Sequence, residues 1–300
     1  MAMLCVAIDS AQIAAARIVD GDVGGDDVRR AAIPAASVWE SCRNLLTEVA
    51  GEMPITAIGL AVVGPVDMAA GVVAPVDIPE WRAGFDIVGA IRSLFPSAAV
   101  RFLVDGACLA LAERNLGHAS EAIDSLVVLV SDLVSGGIIV GGLTMVGRTG
   151  NAGNFGHMPV PGFDGPCRCG SRGCLDTVAA GRSMVEWARA RGWTGQNPRE
   201  LIDAARNGET VPVEALARAG TALGLVIASA AVLHDVDLVV VGGLAGESGP
   251  ALWDPLVAAV AAHARTGNLT ELRVVASELG EEGVLAGAAI LALSGEDEPG

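Results

Sequence analysis

Two stretches of the chain share one pattern, in which an apolar run, a short polar break and a second apolar run follow one another. In the first stretch the apolar runs are residues 4–8 and 13–19. In the second stretch they are residues 126–130 and 136–140. Short apolar runs joined by a polar turn predict β-hairpins. The recurrence of the hairpin predicts that the chain has two related halves.

Strand-like and helix-like segments alternate along the rest of the chain, which predicts an α/β fold. The apolar segment 219–233 contains Gly, Thr and Ser and is too short for a membrane span of about 18 residues, so we expect a buried core helix and no membrane partner. The further strands are predicted at 55–62, 99–103 and 237–241, and the helices at 37–49, 87–94, 106–116, 182–191, 198–206, 213–233 and 283–293.

The length of 300 residues suits two domains. A polar segment at 117–123 predicts the linker between them. We therefore expect an N-terminal domain of residues 1–117 and a C-terminal domain of residues 118–282, with the last helix, 283–294, packing back on the first domain.

Charge and the N-terminal residues narrow the functional class. The chain has 35 acidic residues against 19 Lys and Arg, for a net charge of -16, which would repel a phosphate backbone and disfavours nucleic acid as a partner. Residues 1–10 show no pattern of an export signal. These observations favour a cytoplasmic protein that does not bind nucleic acid.

Three of the six cysteines lie within eight residues and follow a histidine. The four side chains are His157, Cys167, Cys169 and Cys174. Cytoplasmic cysteines rarely form disulfides, and three thiolates with one imidazole form a donor set that Zn²⁺ prefers. Four protein ligands leave no open coordination position, so we predict a structural zinc ion. The alternative is a set of unligated thiols beside a core histidine.

Residues around this cluster resemble the signature of the ROK family, which groups bacterial sugar kinases, transcriptional repressors and uncharacterised relatives. The resemblance implies an actin/hexokinase-like α/β fold, in which two ribonuclease-H-like domains flank a cleft that binds substrate. The matching segments are Asn151-Ala152-Gly153-Asn154-Phe155-Gly156-His157, the cysteine run and Gly173-Cys174-Leu175-Asp176, with Gly64-Pro65-Val66-Asp67, Asp77-Ile78-Pro79-Glu80-Trp81, Val104-Asp105-Gly106 and Val241-Gly242-Gly243 in the same order.

Asp105 is the candidate catalytic residue. It follows the predicted strand 99–103 and precedes the predicted helix 106–116. The resemblance implies that it is the general base, accepting a proton from a sugar hydroxyl that attacks the phosphate of ATP. Aspartate is also a favoured helix N-cap, so its position alone leaves both roles open.

The resemblance also implies four sugar-binding residues: Asp77, Asn154, His157 and Asp176. One ring nitrogen of His157 would bind zinc while the other contacts a sugar hydroxyl. For Asp77 and Asp176 the alternative is an ordinary surface carboxylate.

Nucleotide binding is implied at the hairpin turns, where glycines let backbone amides approach phosphates. The resemblance assigns Asp9 to the magnesium ion of Mg-ATP. The first turn here lacks the family's glycines, the second carries Asp132, and the Gly242-Gly243 pair also fits a simple turn. The glycines assigned to the nucleotide are Gly136, Gly137, Gly242 and Gly243.

Two hypotheses follow from the resemblance. The first is an ATP-dependent kinase acting on a hexose or N-acetylhexosamine, and the second is a catalytically impaired sugar-binding or regulatory protein. A repressor is disfavoured, because the first strand begins at residue 4 and leaves no room for a helix-turn-helix. The resemblance also implies a homodimer.

Overall fold

The computed structural model describes residues 2–19, 22–23 and 28–294, with the backbone alone at residues 22, 23 and 281. The strands are β1 (Ala2–Ile8), β2 (Gln12–Val19), β3 (Asp22–Val23), β4 (Arg29–Ala32), β5 (Ile55–Val62), β6 (Val66–Asp67), β7 (Val72–Val73), β8 (Phe85–Asp86), β9 (Ala99–Val104), β10 (Ser125–Val130), β11 (Val134–Val140), β12 (Leu143–Thr144), β13 (Leu238–Gly243) and β14 (Arg273–Ala276).

Helices connect these strands. They are α1 (Val38–Ala50), α2 (Ile87–Leu94), α3 (Asp105–Leu116), α4 (Asp176–Ala179), α5 (Gly181–Arg189), α6 (Pro198–Arg206), α7 (Thr210–His234), α8 (Leu244–Glu247), α9 (Pro250–His263) and α10 (Gly283–Leu293). Short 3-10 turns lie at Phe155–His157, Gly267–Leu269 and Gly280–Glu282.

The chain forms two compact units. The first comprises residues 1–112, 144–152 and 281–300, and the second comprises residues 113–143 and 153–280. The boundaries that we predict from sequence, 1–117 and 118–282, stay a prediction.

A six-stranded sheet is the centre of the first unit. Its strand order is β3-β2-β1-β5-β9, with β4 also paired to β2. Strand β1 runs antiparallel to β2 and parallel to β5, which runs parallel to β9. A separate three-stranded sheet has the order β6-β7-β8.

The second unit repeats this plan around a five-stranded sheet with the order β12-β11-β10-β13-β14. Strand β10 runs antiparallel to β11 and parallel to β13, which runs parallel to β14. Each unit therefore contains a hairpin followed by two parallel strands. The two hairpins predicted from the apolar pattern are confirmed.

Glycines allow helix α10 to pack closely within the first unit. A Cβ at Gly59 of β5 would lie 1.9 Å from the carbonyl oxygen of Ala288. A Cβ at Gly287 would lie 1.8 Å from the carbonyl oxygen of Cys108. Both approaches are too close for any side chain, so these two positions seat the last helix against the sheet and α3.

Helix α7 lies in the core of the second unit. By length and composition alone it could cross a membrane, with a mean hydropathy of 1.8 in its most apolar window, but 61% of that window is buried inside the protein. Gly220 and Gly224 bring it against α9, since a Cβ at either position would lie within 2.4 Å of a backbone oxygen of that helix. We therefore interpret α7 as a core helix, as the sequence predicts.

Helix α9 and strand β14 are not predicted from the sequence. Helix α9 contains Pro255 in its interior and carries apolar residues on several faces, so it shows no clear helical period. Strand β14 has only four residues, which are half-buried or exposed. Neither segment shows a clear helical or strand period.

Candidate functional site

The four predicted metal ligands lie together in the second unit. One ligand atom from each of His157, Cys167, Cys169 and Cys174 lies within 4.8 Å of the other three. His157 Nδ1 is 3.7 Å from the Sγ of Cys167, and the Sγ atoms of Cys169 and Cys174 are 3.8 Å apart. A tetrahedral site with Zn–S bonds of about 2.3 Å has edges of about 3.8 Å. The donor atoms therefore fit a tetrahedral metal ion.

Backbone hydrogen bonds fold the cysteine loop, residues 157–174, into this shape. The amide of Cys167 donates to the carbonyl oxygen of Ser171 at 2.8 Å, and the amide of Gly170 donates to that of Cys167 at 3.0 Å. Gly170 has a φ of 92°, which only glycine adopts readily. The tight turn brings the thiols of Cys167 and Cys169 to the same side.

The thiols differ in their local electrostatics. Burial raises the pKa of Cys174 to about 12 and also raises the pKa of Cys167. A hydrogen bond from the backbone of Ser171 lowers the pKa of Cys169. A bound cation stabilises thiolates that burial alone would keep protonated. The chemistry of this donor set therefore favours a soft divalent metal, with no position left open for water.

The predicted sugar-binding residues of the second unit have different environments. Asn154 and His157 are exposed. Because Nδ1 of His157 faces the Sγ of Cys167, its Nε2 is the nitrogen left for another partner. Asp176 is only 4% exposed, so the alternative of an ordinary surface carboxylate is wrong for this residue.

The carboxylate of Asp176 has two partners within its own unit. Oδ1 accepts the backbone amide of Val134 at 3.0 Å, and Oδ2 accepts Nη2 of Arg182 at 2.7 Å. Both oxygens are thus engaged by the protein itself.

Asp77 lies in the first unit and is half-buried. It precedes Ile78 and Trp81, both 1% exposed, and the Trp81 ring stacks on Phe85 with centroids 4.7 Å apart. This packing fixes the backbone on one side of Asp77. Its role in sugar binding stays a prediction.

Asp105 lies where the sequence predicts, directly after β9, and is the first residue of α3. It is 5% exposed, and its Oδ1 accepts the amide of Gly106 at 2.7 Å. A carboxylate placed at the start of a helix is stabilised by the helix dipole. This placement is compatible with both the catalytic and the capping interpretation.

The first hairpin turn, residues 9–12, is closed by its own carboxylate. Oδ1 of Asp9 accepts the amides of Ala11 at 2.6 Å and Gln12 at 2.7 Å, and the amide of Asp9 donates to the carbonyl oxygen of Gln12. Amides that could face a phosphate in a glycine-rich turn are therefore bonded within this turn.

The second hairpin turn, residues 131–133, is also bonded internally. The amide of Ser131 donates to the carbonyl oxygen of Leu133 at 2.8 Å, and the amide of Leu133 donates to Oγ of Ser131 at 3.4 Å. With the amide of Val134 donating to Asp176, three amides in and beside this turn have acceptors inside the protein.

The glycines assigned to the nucleotide have packing roles. Gly136 and Gly137 lie inside β11, not in the turn, and a Cβ at Gly136 would lie 2.4 Å from the ring of Phe155. Gly243 has a φ of 71°, and a Cβ there would lie 2.2 Å from the carbonyl oxygen of Val130. Gly242 precedes it in β13. Packing alone explains Gly136 and Gly243, and the nucleotide role of all four glycines stays a prediction.

Comparison with known proteins decides the family. A model of the ROK family matches residues 23–294. The chain belongs to the ROK family. The glucokinase of Aeropyrum pernix is 30% identical over 266 residues, covering 82% of each chain. The kanosamine kinase of Amycolatopsis mediterranei is 33% identical over 190 residues, covering 63% of this chain and 61% of that kinase.

A solved structure supports the same assignment. The crystal structure of a ROK family glucokinase from Streptomyces griseus in complex with glucose and AMPPNP is similar with a TM-score of 0.86 and 25% identity, over 98% of this chain and 100% of that one. The predicted actin/hexokinase-like fold is therefore confirmed for this ROK protein.

The sequence pattern does not reveal several residues that hold the site of this ROK protein together. They include Val134 and Arg182, the partners of Asp176, and Gly181, whose amide donates to the carbonyl oxygen of Ser131 at 2.8 Å. Backbone partners carry no residue-type signal. Arg182 follows Asp176 by six residues across a break between two helices, so helical spacing does not reveal the pair.

Proposed function

We propose that this ROK protein is a sugar kinase that transfers a phosphoryl group from Mg-ATP to a hydroxyl of a hexose or N-acetylhexosamine. The observation that carries the proposal is Asp105, a buried carboxylate at the junction of β9 and α3. The glucokinase and kanosamine kinase relatives support a sugar substrate.

In this proposal Asp105 is the general base. Phosphoryl transfer depends mainly on positioning and on charge stabilisation, and the attacking hydroxyl must lose a proton as the new bond forms. The bond from the Gly106 amide holds the Asp105 carboxylate at the start of the helix, where it would accept that proton. Its low exposure reduces competition from water.

The sugar would be bound by Asp77, Asn154 and His157. Carboxylate and amide groups form the hydrogen bonds that distinguish sugar hydroxyls. His157 would contribute Nε2, because Nδ1 faces the cysteine cluster. Zinc bound by His157, Cys167, Cys169 and Cys174 would fix the tautomer and orientation of that ring.

Asp9 would lie near the magnesium ion of Mg-ATP, with Gly136, Gly137, Gly242 and Gly243 along the nucleotide. Asp9 is half-buried, and its Oδ1 accepts the amides of Ala11 and Gln12. We further expect a cytoplasmic homodimer that does not bind nucleic acid, as the acidic charge and the family resemblance suggest.

The variant Asp105→Asn tests the general base. We expect kcat to fall by about 10²–10⁴-fold, because the amide cannot accept the proton, while the melting temperature changes little. Asp86→Asn is the matched control: Asp86 also stands at a helix start, where its Oδ1 accepts the amide of Gly89 at 2.8 Å, and asparagine keeps that cap.

Two results would contradict this role for Asp105. A loss of only a few-fold in kcat would exclude it as the base. A fall in melting temperature that parallels the loss of activity, and that is absent in Asp86→Asn, would assign Asp105 to the structure of the helix instead.

A second candidate function is a sugar-binding protein without kinase activity. It is favoured by the bonded turn amides, because Ala11, Gln12, Ser131 and Leu133 donate within their own turns. Binding a phosphate there would require those bonds to be exchanged, and each is worth about 1 kcal/mol. Calorimetric titration with Mg-ATP, and separately with hexoses and N-acetylhexosamines, separates the candidates: heat with a sugar but none with Mg-ATP would favour the second.

A further inference from the structure

Val134, the first residue of β11, contacts the segments on both flanks of the cysteine loop. Its amide donates to Oδ1 of Asp176 at 3.0 Å. Its carbonyl oxygen lies only 2.1 Å from the position that a Cβ at Gly156 would occupy, so the backbone of Gly156 packs directly on it. Gly156 immediately precedes His157, and Asp176 follows Cys174 by two residues. The two residues that flank the cysteine loop, Gly156 and Asp176, thus both contact the backbone of Val134.

The segment that follows the cysteine loop also contacts Ser131, at the start of the turn at residues 131–133. The amide of Gly181 donates to the carbonyl oxygen of Ser131 at 2.8 Å. Asp176 is linked to the start of α5, the helix that begins at Gly181. Arg182 donates to its Oδ2, and the hydroxyl of Ser183 donates to its backbone oxygen at 2.7 Å. The segment after the cysteine loop therefore fixes the turn on both sides, at Ser131 and at Val134.

The carboxylate of Asp176 is poorly suited to leave these partners for a sugar. Its side chain is 5% exposed and that of Arg182 is 19% exposed. Removing one member of a buried ion pair leaves the other charge without compensation, which is strongly unfavourable. A sugar hydroxyl that displaced the amide of Val134 or the guanidinium of Arg182 would therefore gain little.

We propose that Asp176 is a positioning residue, which transmits the order of the cysteine loop to the turn at residues 131–133, and that it does not bind the sugar. Metal binding closes the loop, the closed loop fixes Gly156 and Asp176, and these two residues fix Val134 and the turn before it. The consequence for nucleotide binding rests on the proposed kinase function, in which this turn faces the phosphates. The contact between Asp176 and the turn does not depend on that function.

Hydrogen exchange tests the link in the full chain without an activity assay. The zinc-loaded wild-type protein is compared with the protein after chelation, and the exchange of amides in 131–134 is followed. We expect chelation to speed their exchange in wild type. In Asp176→Ala the same amides should already exchange fast, and chelation should add little. Equal effects of chelation in both proteins would overturn the proposal, as would failure of Zn²⁺ to slow the exchange in wild type.

Two further variants control for general damage to the fold. Asp176→Asn keeps an acceptor for the Val134 amide but loses the charge opposite Arg182, so it should lie between wild type and Asp176→Ala. Asp203→Ala removes an exposed carboxylate of the second unit, whose Oδ1 lies 3.0 Å from Nη1 of Arg206. This variant should leave the turn unchanged. A uniform rise in exchange across the second unit in Asp176→Ala would show a structural role without specific coupling, and would overturn the proposal.

Substrate dependence separates this inference from the proposed function. In an active protein, Asp176→Ala should raise KM for Mg-ATP roughly fivefold to tenfold, the effect of losing a hydrogen bond worth about 1 kcal/mol, while KM for the sugar changes less than twofold. A rise in the sugar KM alone would return Asp176 to the sugar site. If wild type binds no Mg-ATP, the kinase proposal fails, and hydrogen exchange still decides the role of Asp176.

Discussion

The two hairpin turns occupy equivalent places in the two units, yet they are stabilised in different ways. The turn at residues 9–12 is closed by a residue inside it, since Asp9 accepts the amides of Ala11 and Gln12. Beyond the turn at residues 131–133, the amide of Val134 is held by Asp176, 42 residues further along the chain. The first turn is thus closed by its own carboxylate, although the carbonyl oxygen of Ala11 also accepts the amide of Ile33 at 2.8 Å. The second turn is joined in addition to the segment that follows the cysteine loop.

This difference follows from what each unit adds to the shared plan. In the second unit the chain after β12 forms the cysteine loop and returns to β11 through Asp176. If the conformation of a turn depends on a distant loop, a ligand that binds the loop can change the turn. We therefore expect the second turn, and not the first, to respond to metal.

Removal of the metal should have the largest effect. A ligand present at about 1,000 times its Kd stabilises the folded state by roughly 4 kcal/mol, so chelation should lower the melting temperature of the zinc-loaded protein by about 10 °C. Thiol labelling before and after chelation should show that Cys167, Cys169 and Cys174 become reactive. Calorimetry and mass spectrometry measure the two effects.

The other three cysteines are an internal control. Burial raises the pKa of Cys5 and of Cys42 to about 12 and also raises the pKa of Cys108. Since the thiolate is the reactive species, a raised pKa leaves little of it at neutral pH. These three should be labelled only on unfolding. Labelling of all six after chelation would show that the metal holds the whole chain together and not the loop alone.

Gly156→Ala should have the next largest effect. The new Cβ would lie 2.1 Å from the carbonyl oxygen of Val134, so one of the two backbones must move. Such overpacking costs about 1–3 kcal/mol. The control is Gly165→Ala in the same loop, where the nearest atom to a new Cβ is 3.7 Å away and the contact is ordinary. Chemical denaturation measures both, and equal losses would show that the loop tolerates neither change and that the Val134 contact is not special.

Much of the fold is predictable from sequence because many elements carry local signals. Helix α6 begins at the predicted residue, since the side chain of Asn197 accepts the amide of Glu200 as an N-cap and proline follows at the first helical position. Strand β5 is a continuous apolar run and has the predicted bounds. Helix α9 lacks such a signal and is missed.

The site is predictable only in part, because only some of its contacts carry a local signal in the sequence. The spacing of the cysteines and of His157 indicates a metal cluster, and the structure brings their ligand atoms together. The partners of Asp176 are different, because one is a backbone amide and the other lies across a helix break. Contacts of this kind arise from the packing of distant segments, and residue types or spacing do not specify them.

Asp9→Ala should have the smallest effect and should be confined to the first turn. The variant leaves the amides of Ala11 and Gln12 without their acceptor, and loss of a comparable helix cap costs about 1 kcal/mol. Asp9→Asn keeps a side-chain oxygen in place and should lose only a fraction of that stability. Because Asp9 bonds Ala11 and Gln12 within the first unit, the loss in Asp9→Ala should be the same with and without zinc. A loss that depends on zinc would contradict the distinction between a local first turn and a metal-dependent second turn, and denaturation of the two variants in both states measures it.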